Sequence, residues 1–297
     1  LSGVQEALDL TARLLLLPGD RVCMEEPGYF AARMVFDAMQ AKVLPLAVDR
    51  EGMTLPTQKH RGARLIYTTP GHQAPLGITM SLPRRLALLE WARRSGTLIF
   101  EDDYDGEYRY SGKPVPVLQG LDTSGSVLLA GTFSKVLFPA LRLGYMVVPP
   151  DLVGRFEAAK SITSRHSALL EQTVLCDFIE QGHLGRHLRR MREVYSERLG
   201  VLLEFGRRNL TGLLEISEIE AGLQTVGWLR PGVCSNRTSQ AAWDRGIEVI
   251  SVRKLYSRNG NQPEGNGPEA LQLGFAAIDA REIRRGTEEL AQVLEGL

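Results

Sequence analysis

From Val4 to Val148 the chain alternates helical periods with short apolar runs, and this alternation restricts its fold more than any other feature. Residues 4 to 17 set Val4, Leu8, Thr11 and Leu15 on one side and Glu6, Asp9 and Arg13 on another, between Ser2-Gly3 and Pro18-Gly19-Asp20. That is the spacing of an amphipathic helix between a start and a stop signal. A strand is predicted over 21 to 25, a helix over about 29 to 40, a strand over 42 to 46 and another over 64 to 68. Ser81 can cap a helix whose buried face carries Leu82, Leu86 and Leu89; an apolar strand from Thr97 to Phe100 follows and ends in Glu101-Asp102-Asp103. Val127 to Ala130 and Leu143 to Val148 supply two more strands. Bare apolar strands alternating with helices are strands covered on both faces, so the pattern specifies an α/β fold with a mostly parallel sheet. Such sheets bind ligands outside the carboxyl ends of their strands, which is where the acids at 101 to 103 stand.

The pattern changes after Pro149-Pro150. Leu184, Leu188, Met191, Tyr195 and Leu202 mark one long helix through about residue 208, with arginines on its outer face, expected to connect two domains. Strands over 223 to 229, 247 to 252 and 271 to 276, and a last helix carrying Ile283, Leu290 and Leu294, read as a smaller α+β domain. The expected organisation is a large domain over 1–165, an interdomain helical region over 166–210 and a small C-terminal domain over 211–297. Ser257 to Glu269, rich in Asn, Gly and Pro, is expected to form a mobile surface loop.

Charge and cysteine usage exclude several functions. Thirty-five basic residues balance thirty-five acidic ones, so no global field draws the chain to nucleic acid or to an anionic membrane. Arg186, Arg189 and Arg190 fall on the outer side of the long helix without interleaved aromatics, which is the pattern of a solvated face; no nucleic-acid partner is expected through this chain. Cys23, Cys176 and Cys234 are scattered, and no His or Cys pair has metal-ligand spacing, so reduced thiols in the cytoplasm and no metal are expected. The apolar run from Leu14 to Leu17 is far too short to span a bilayer. Neither a dinucleotide fingerprint nor a phosphate loop ending in Lys-Ser/Thr occurs. The chain opens at Leu1 inside a helix start, and an N-terminal portion of the natural protein is expected to lie outside it.

The remaining signal is chemical. A lysine that condenses with an aldehyde cofactor needs an irregular segment at a sheet edge, a carboxylate for a pyridine nitrogen and a cradle for a phosphate. Ser134-Lys135 lies just past one strand, Arg142 opens the next, and the acids end a third. The run Gly131-Thr-Phe-Ser-Lys-Val-Leu-Phe-Pro-Ala-Leu-Arg-Leu-Gly-Tyr145 resembles the cofactor-lysine motif of the aminotransferase-like domain of MocR/GabR-type transcriptional regulators. Glu101-Asp-Asp-Tyr-Asp-Gly-Glu-Tyr-Arg-Tyr110 and Thr69-Pro-Gly-His-Gln-Ala-Pro-Leu-Gly77 resemble two further blocks of that family. The likeness runs over most of the chain and is strongest from 1 to 150.

The resemblance implies a fold-type I arrangement, with pyridoxal 5′-phosphate as cofactor and an internal aldimine at Lys135. Taken alone, Lys135 is a solvated loop lysine; the motif around it reverses that reading. Asp102 is implied to face the pyridine nitrogen, although spacing alone does not separate it from Asp103 and Asp105. Tyr104 is implied to donate to the cofactor's phenolate oxygen, and the plain alternative is a half-buried tyrosine. The phosphate is expected at the first helix N-terminus, on the amides of Gly3, Val4 and Gln5, with Ser134 and Arg142 completing the cradle. Tyr29 matches a position whose ring stacks on the cofactor, or else staples the following helix. His72 and Gln73 occupy the loop that approaches the ring-oxygen side, where this chain has Ala74 in place of a bulky aromatic; His72 read alone is a satisfied structural histidine.

In many members of the wider class an arginine binds the substrate carboxylate from the last strand, at the position of Gln272 here. Arg253 is the alternative candidate, and a solvated surface arginine is its plain reading. The resemblance implies an effector-sensing domain of a GntR/MocR-type regulator, forming an external aldimine with an amino acid or amine, as a homodimer and with the DNA-binding part outside this chain. A working aminotransferase is the alternative, with Lys135 as the base of the proton shift. A fragment that folds but holds the cofactor weakly, for want of an N-terminal arm, is a third.

Overall fold

The computed structural model describes residues 1–113, 115–165, 169–256 and 267–297. Its first part is a seven-stranded sheet in the order β3-β2-β1-β4-β5-β6-β7. These strands are β1 (Arg21–Glu26), β2 (Lys42–Asp49), β3 (Gly52–Met53), β4 (Ala63–Thr68), β5 (Leu98–Asp103), β6 (Val127–Thr132) and β7 (Gly144–Val147). The pairs from β2 through β6 are parallel, and β3 and β7 close the two edges antiparallel. Side chains alternate between two cores along every central strand. Val22, Met24, Leu65, Tyr67, Phe100, Leu128 and Ala130 pack with the helices α1 (Val4–Leu15), α2 (Phe30–Ala38) and α5 (Pro150–Thr163). Cys23, Ile66, Ile99 and Val127 face the other way, against α3 (Leu82–Ser95) and α4 (Leu118–Leu121). Both faces are therefore dry, which is why these strands read as unbroken apolar runs.

The chain runs outward from β1 to β2 and then returns past β1 to β4. The connections diverge at that switch point and open a crevice above the carboxyl ends of the strands.

Helix α3 differs from its expected face. Leu82 and Leu86 are exposed, and the buried residues are Arg85, Leu88, Leu89 and Ala92. Arg85 is the reason. Its guanidinium donates to the carbonyls of Met80 at 3.0 Å, Pro70 at 2.6 Å and Pro116 at 3.1 Å, and stands 3.7 Å from the Glu101 carboxylate. A buried, fully bonded charge turns the helix by about one position from the face a purely apolar count selects, because leaving that charge unpaired costs roughly 3–5 kcal/mol. Glu101 in turn accepts from the amides of Leu118 and Gln119 and so starts α4.

After Pro149 the chain forms α5, then α6 (Leu169–Glu180) and the expected long helix α7 (His183–Asn209). Neither α5 nor α6 was legible: each buries a single residue, Phe156 and Leu175, so no apolar stripe marks them. A second sheet follows, ordered β10-β11-β9-β8, from β8 (Leu214–Ile216), β9 (Gln224–Leu229), β10 (Ile250–Ser251) and β11 (Ala270–Gly274). Helices α8 (Ser235–Asp244) and α9 (Ala280–Glu295) pack with α7 on its apolar face. The strand expected over 247 to 252 shrinks to Ile250–Ser251 and turns into a 3-10 helix at Val252–Leu255. The reason is competition: the amide of Ile247 returns to Ala242 and the carbonyl of Val249 accepts Ser239 Oγ, so only two residues are left to pair with β11. The loop expected over Ser257 to Glu269 lies, up to residue 266, outside the described residues.

Candidate active site

At the carboxyl ends of β4, β5 and β6 lies a cavity of about 420 Å³, lined also by the start of α1 and by the second sheet. Seven of its lining residues are among those expected to carry the chemistry: Gly3, Tyr29, Asp102, Tyr104, Ser134, Lys135 and Arg142. Val4 and Gln5 line it as well. Each arrives for a local reason.

Helix α1 begins at the Gly3 cap with φ of 136°, a conformation that L side chains rarely adopt, and no side chain caps it. Its first amides are therefore left for a ligand, where the helix dipole also favours an anion. Strand β7 comes against this cap so closely that a Cβ on Gly144 would stand 2.7 Å from Gly3 Cα. The backbones of Leu1 and Gly144 are hydrogen-bonded to each other. Arg142, with a left-handed φ of 51°, directs its guanidinium to Ser2 Oγ at 3.3 Å, beside the same helix start. The amide of Ser134 donates to Thr132 Oγ1, which fixes the turn leading to Lys135. Tyr108 donates to the carbonyl of Val136, and His187 of α7 also bonds that carbonyl, tying the lysine segment to both neighbours.

Of the three acids that spacing left open, only Asp102 lines the cavity. Its Oδ2 accepts from Tyr67 at 2.6 Å, whereas Oδ1 is buried without a partner among the described residues. Burial pushes its carboxyl up to about 7, against the Tyr67 hydroxyl, which stabilises the charged form. Asp103 turns toward Gly71 and Gly106, and Asp105 takes His72. His72 lies under the cavity rather than in its wall. Its Nδ1 is 2.9 Å from Asp105 Oδ2 and 3.0 Å from the Tyr104 hydroxyl, which also donates to the His72 carbonyl. Burial, with Asp105 and Asp102 nearby, holds the Tyr104 phenol well above its ordinary range, so it stays a donor.

Arg253 lies outside the lining and pairs with Glu269. Gln272, at the position where an arginine was sought, does line the cavity, and Gln224 of β9 joins it.

The sequence reading did not single out Phe30, Tyr67, Thr69, Thr132, Gln224, Ile250 or Leu255 as lining residues. Tyr67 carried a faint signal, a polar tip within an apolar strand that has to find a buried partner. Thr69 and Thr132 lie inside the blocks that carry the resemblance and Phe30 follows Tyr29, whereas Gln224, Ile250 and Leu255 come from distant segments and carried none.

An orphaned buried carboxylate oxygen, unpaired helix amides beside an arginine and a lysine in the same wall fit pyridoxal 5′-phosphate. The carboxylate suits a protonated ring nitrogen, the amides suit the phosphate and the lysine suits the aldehyde.

Comparison with known proteins agrees. The chain is 41% identical to the probable rhizopine catabolism regulatory protein of Rhizobium meliloti over 97% of its own length. It is 39% identical to an uncharacterized HTH-type transcriptional regulator of Bacillus subtilis over 93%. It spans 57% and 58% of those two proteins. Its fold superposes with a TM-score of 0.91, at 31% identity, on the kynurenine aminotransferase of Pyrococcus horikoshii in complex with PMP, covering 100% of this chain and 74% of that one. The family model for aminotransferase class I and II matches residues 1–290, and with the geometry above it follows that the chain belongs to that family.

Proposed function

We propose that this chain is the amine-sensing part of a MocR-type transcriptional regulator, in which pyridoxal 5′-phosphate is joined to the Lys135 amine and an incoming amine displaces it. The observation that carries the reading is the unpartnered Asp102 Oδ1 in a wall shared with Lys135. When bound, the cofactor supplies an aldehyde for amine condensation and a ring that withdraws electrons. The chain's own residues do the rest. Asp102 would hold a proton on the ring nitrogen, its buried carboxylate ionising against that positive charge. The amides of Gly3, Val4 and Gln5, with Ser134 and Arg142, would hold the phosphate. Tyr104 is kept protonated and lies beside His72; its single proton, which the His72 carbonyl accepts in this structure, would turn to the ring oxygen when the cofactor is bound. Tyr29, which lines the cavity, would cover one ring face. Displacement leaves Lys135 as a free amine, and that change in the wall between the two sheets is the signal to the rest of the regulator.

The identity with two regulators, each longer than this chain, supports this role. We further propose that the chain works as a homodimer in the cytoplasm. Among the described residues no helix is long and apolar enough to cross a membrane.

Borohydride reduction of the cofactor-loaded chain followed by peptide mapping is expected to find the cofactor on Lys135, and Lys135→Ala is expected to remove the visible absorbance while the protein still folds. The cofactor on another amine, or unchanged absorbance in the variant, ends the proposal.

A working aminotransferase is favoured by one observation, the likeness in fold to an enzyme of that activity at 31% identity. Lys135 then serves as the base that moves a proton after its release. Sustained keto-acid production with an acceptor present selects the enzyme. An amine adduct that persists without turnover selects the sensor.

A further inference from the structure

The wall that the second sheet and the 3-10 helix after β10 contribute to the cavity consists of Gln224, Ile250, Leu255 and Gln272. Gln272 of β11 stands opposite Val226, and Gln224 of β9 opposite Gly274. The two-residue period of a strand puts Gln272 on the face of Gly274, and therefore on the face of Gln224. The two glutamines are diagonal cross-strand neighbours, about 7 Å apart. Neither amide makes a hydrogen bond among the described residues, and both face the cavity.

The charges in the lining are few. Its cations are Lys135 and Arg142, and its only carboxylate is Asp102. Arg142 is committed beside Ser2 at the start of α1, and Arg253 is paired with Glu269. Lys135 belongs to the end of the cavity where the cofactor attaches, so among the described residues no cation lines the far wall, where it could neutralise a carboxylate at the ligand's far end. A desolvated carboxylate without a counter-charge loses several kcal/mol. A carboxamide offers two N–H donors and a carbonyl acceptor. A carboxylate uses only the donors and is repelled by the carbonyl oxygens, whereas a hydroxyl both donates and accepts and satisfies both sides of each amide.

We propose that the ligand of this cavity is a primary amine whose far end carries hydroxyl groups in place of a carboxylate, and that Gln272 and Gln224 read those hydroxyls. The proposal rests on cofactor attachment at Lys135, as proposed above, and names the class of amine that displaces it. Ile250 and Leu255 supply the apolar contact for the carbon skeleton between the two polar ends.

The test uses the whole chain loaded with pyridoxal 5′-phosphate and a size-matched set: 3-amino-1,2-propanediol, 4-aminobutyrate, alanine and butylamine. Two quantities are read, the heat of binding by calorimetry and the fraction of Lys135 still fixed to the cofactor by borohydride. The aminodiol is expected to act at roughly tenfold lower concentration than either carboxylate or butylamine, the ratio that about one well-made hydrogen bond supplies. Gln272→Leu is expected to erase that advantage over butylamine, and Gln224→Leu to reduce it. Gln272→Arg is expected to turn the preference toward 4-aminobutyrate or alanine.

A carboxylate ligand that binds as well as the aminodiol, or a Gln272→Leu chain with unchanged aminodiol binding, overturns the proposal while leaving cofactor attachment intact. Failure of borohydride to fix any cofactor on Lys135 overturns the reading it rests on, and this proposal with it.

Discussion

Asp102 is a carboxyl group held in a place that disfavours its charge. One oxygen has the Tyr67 hydroxyl and the other has nothing among the described residues, and burial raises the group to about 7 from an ordinary 3.8. Without cofactor, this has a definite sign. Below the unfolded value the group is protonated in both states and its contribution to stability is fully present. As pH rises from about 4 to about 7 the unfolded chain ionises while the folded one keeps its proton, and stability is lost at up to about 1.4 kcal/mol per pH unit. Asp102→Asn is expected to remove that part of the slope, measured as the difference between wild-type and variant denaturant midpoints across this range; parallel curves sink the assignment. The sequence left Asp102, Asp103 and Asp105 as candidates to face the pyridine nitrogen, and the family resemblance implied Asp102. The physical separation came from the alternation of β5, whose last residue Asp103 points away from Asp102 toward Gly71 and Gly106, and from the turn after it, which brings Asp105 to His72. Spacing has no access to that turn.

At the scale of elements, the segment carrying His72 joins the first sheet to the second. A Cβ on Gly222, just before β9, would lie 2.0 Å from the His72 ring, and Gly222 has a φ of 94°. The Gly222 carbonyl accepts from Tyr110 and its amide donates to Tyr108, so the backbone is held from both sides and has little room to move. Gly222→Ala is expected to destabilise the protein by about 2–3 kcal/mol, from the left-handed strain and the steric conflict together. His72→Ala in the same chain is expected to return part of that loss, because it opens the space the methyl needs. Strictly additive losses in thermal unfolding would mean the two residues do not meet. Helix α3 makes a related point. An apolar count put Leu82 and Leu86 inward, but the buried Arg85, bonded to three carbonyls and set beside Glu101, decided the rotation. A periodicity argument treats arginine as outward and misses an ion that the fold has fully paired.

At the scale of the whole molecule, α5 and α6 leave large apolar side chains uncovered. Ile162 is 86% exposed, Leu169 73%, Leu170 74% and Val174 56%. Isolated exposed leucines are ordinary, but a run of them on consecutive helices fits a surface covered by a second copy of the chain. Sedimentation of the purified chain is expected to give a dimer, and Leu169→Asp with Leu170→Asp to shift it toward monomer and weaken cofactor retention. A monomeric wild type that retains cofactor fully would remove the dimer from the account.

The sequence by itself determined the alternation of helices and apolar strands, the long helix α7 and the order of the blocks around Lys135, since these are local patterns of period, cap and motif that neighbouring residues set among themselves. Tertiary structure decided which acid reaches the cavity, which way α3 turns and which residues of the second sheet form the far wall. Gln224 and Gln272 are 48 positions apart in the chain and adjacent only because β9 and β11 pair. Strand pairing and the burial of charge are long-range events, and a one-dimensional pattern does not contain them.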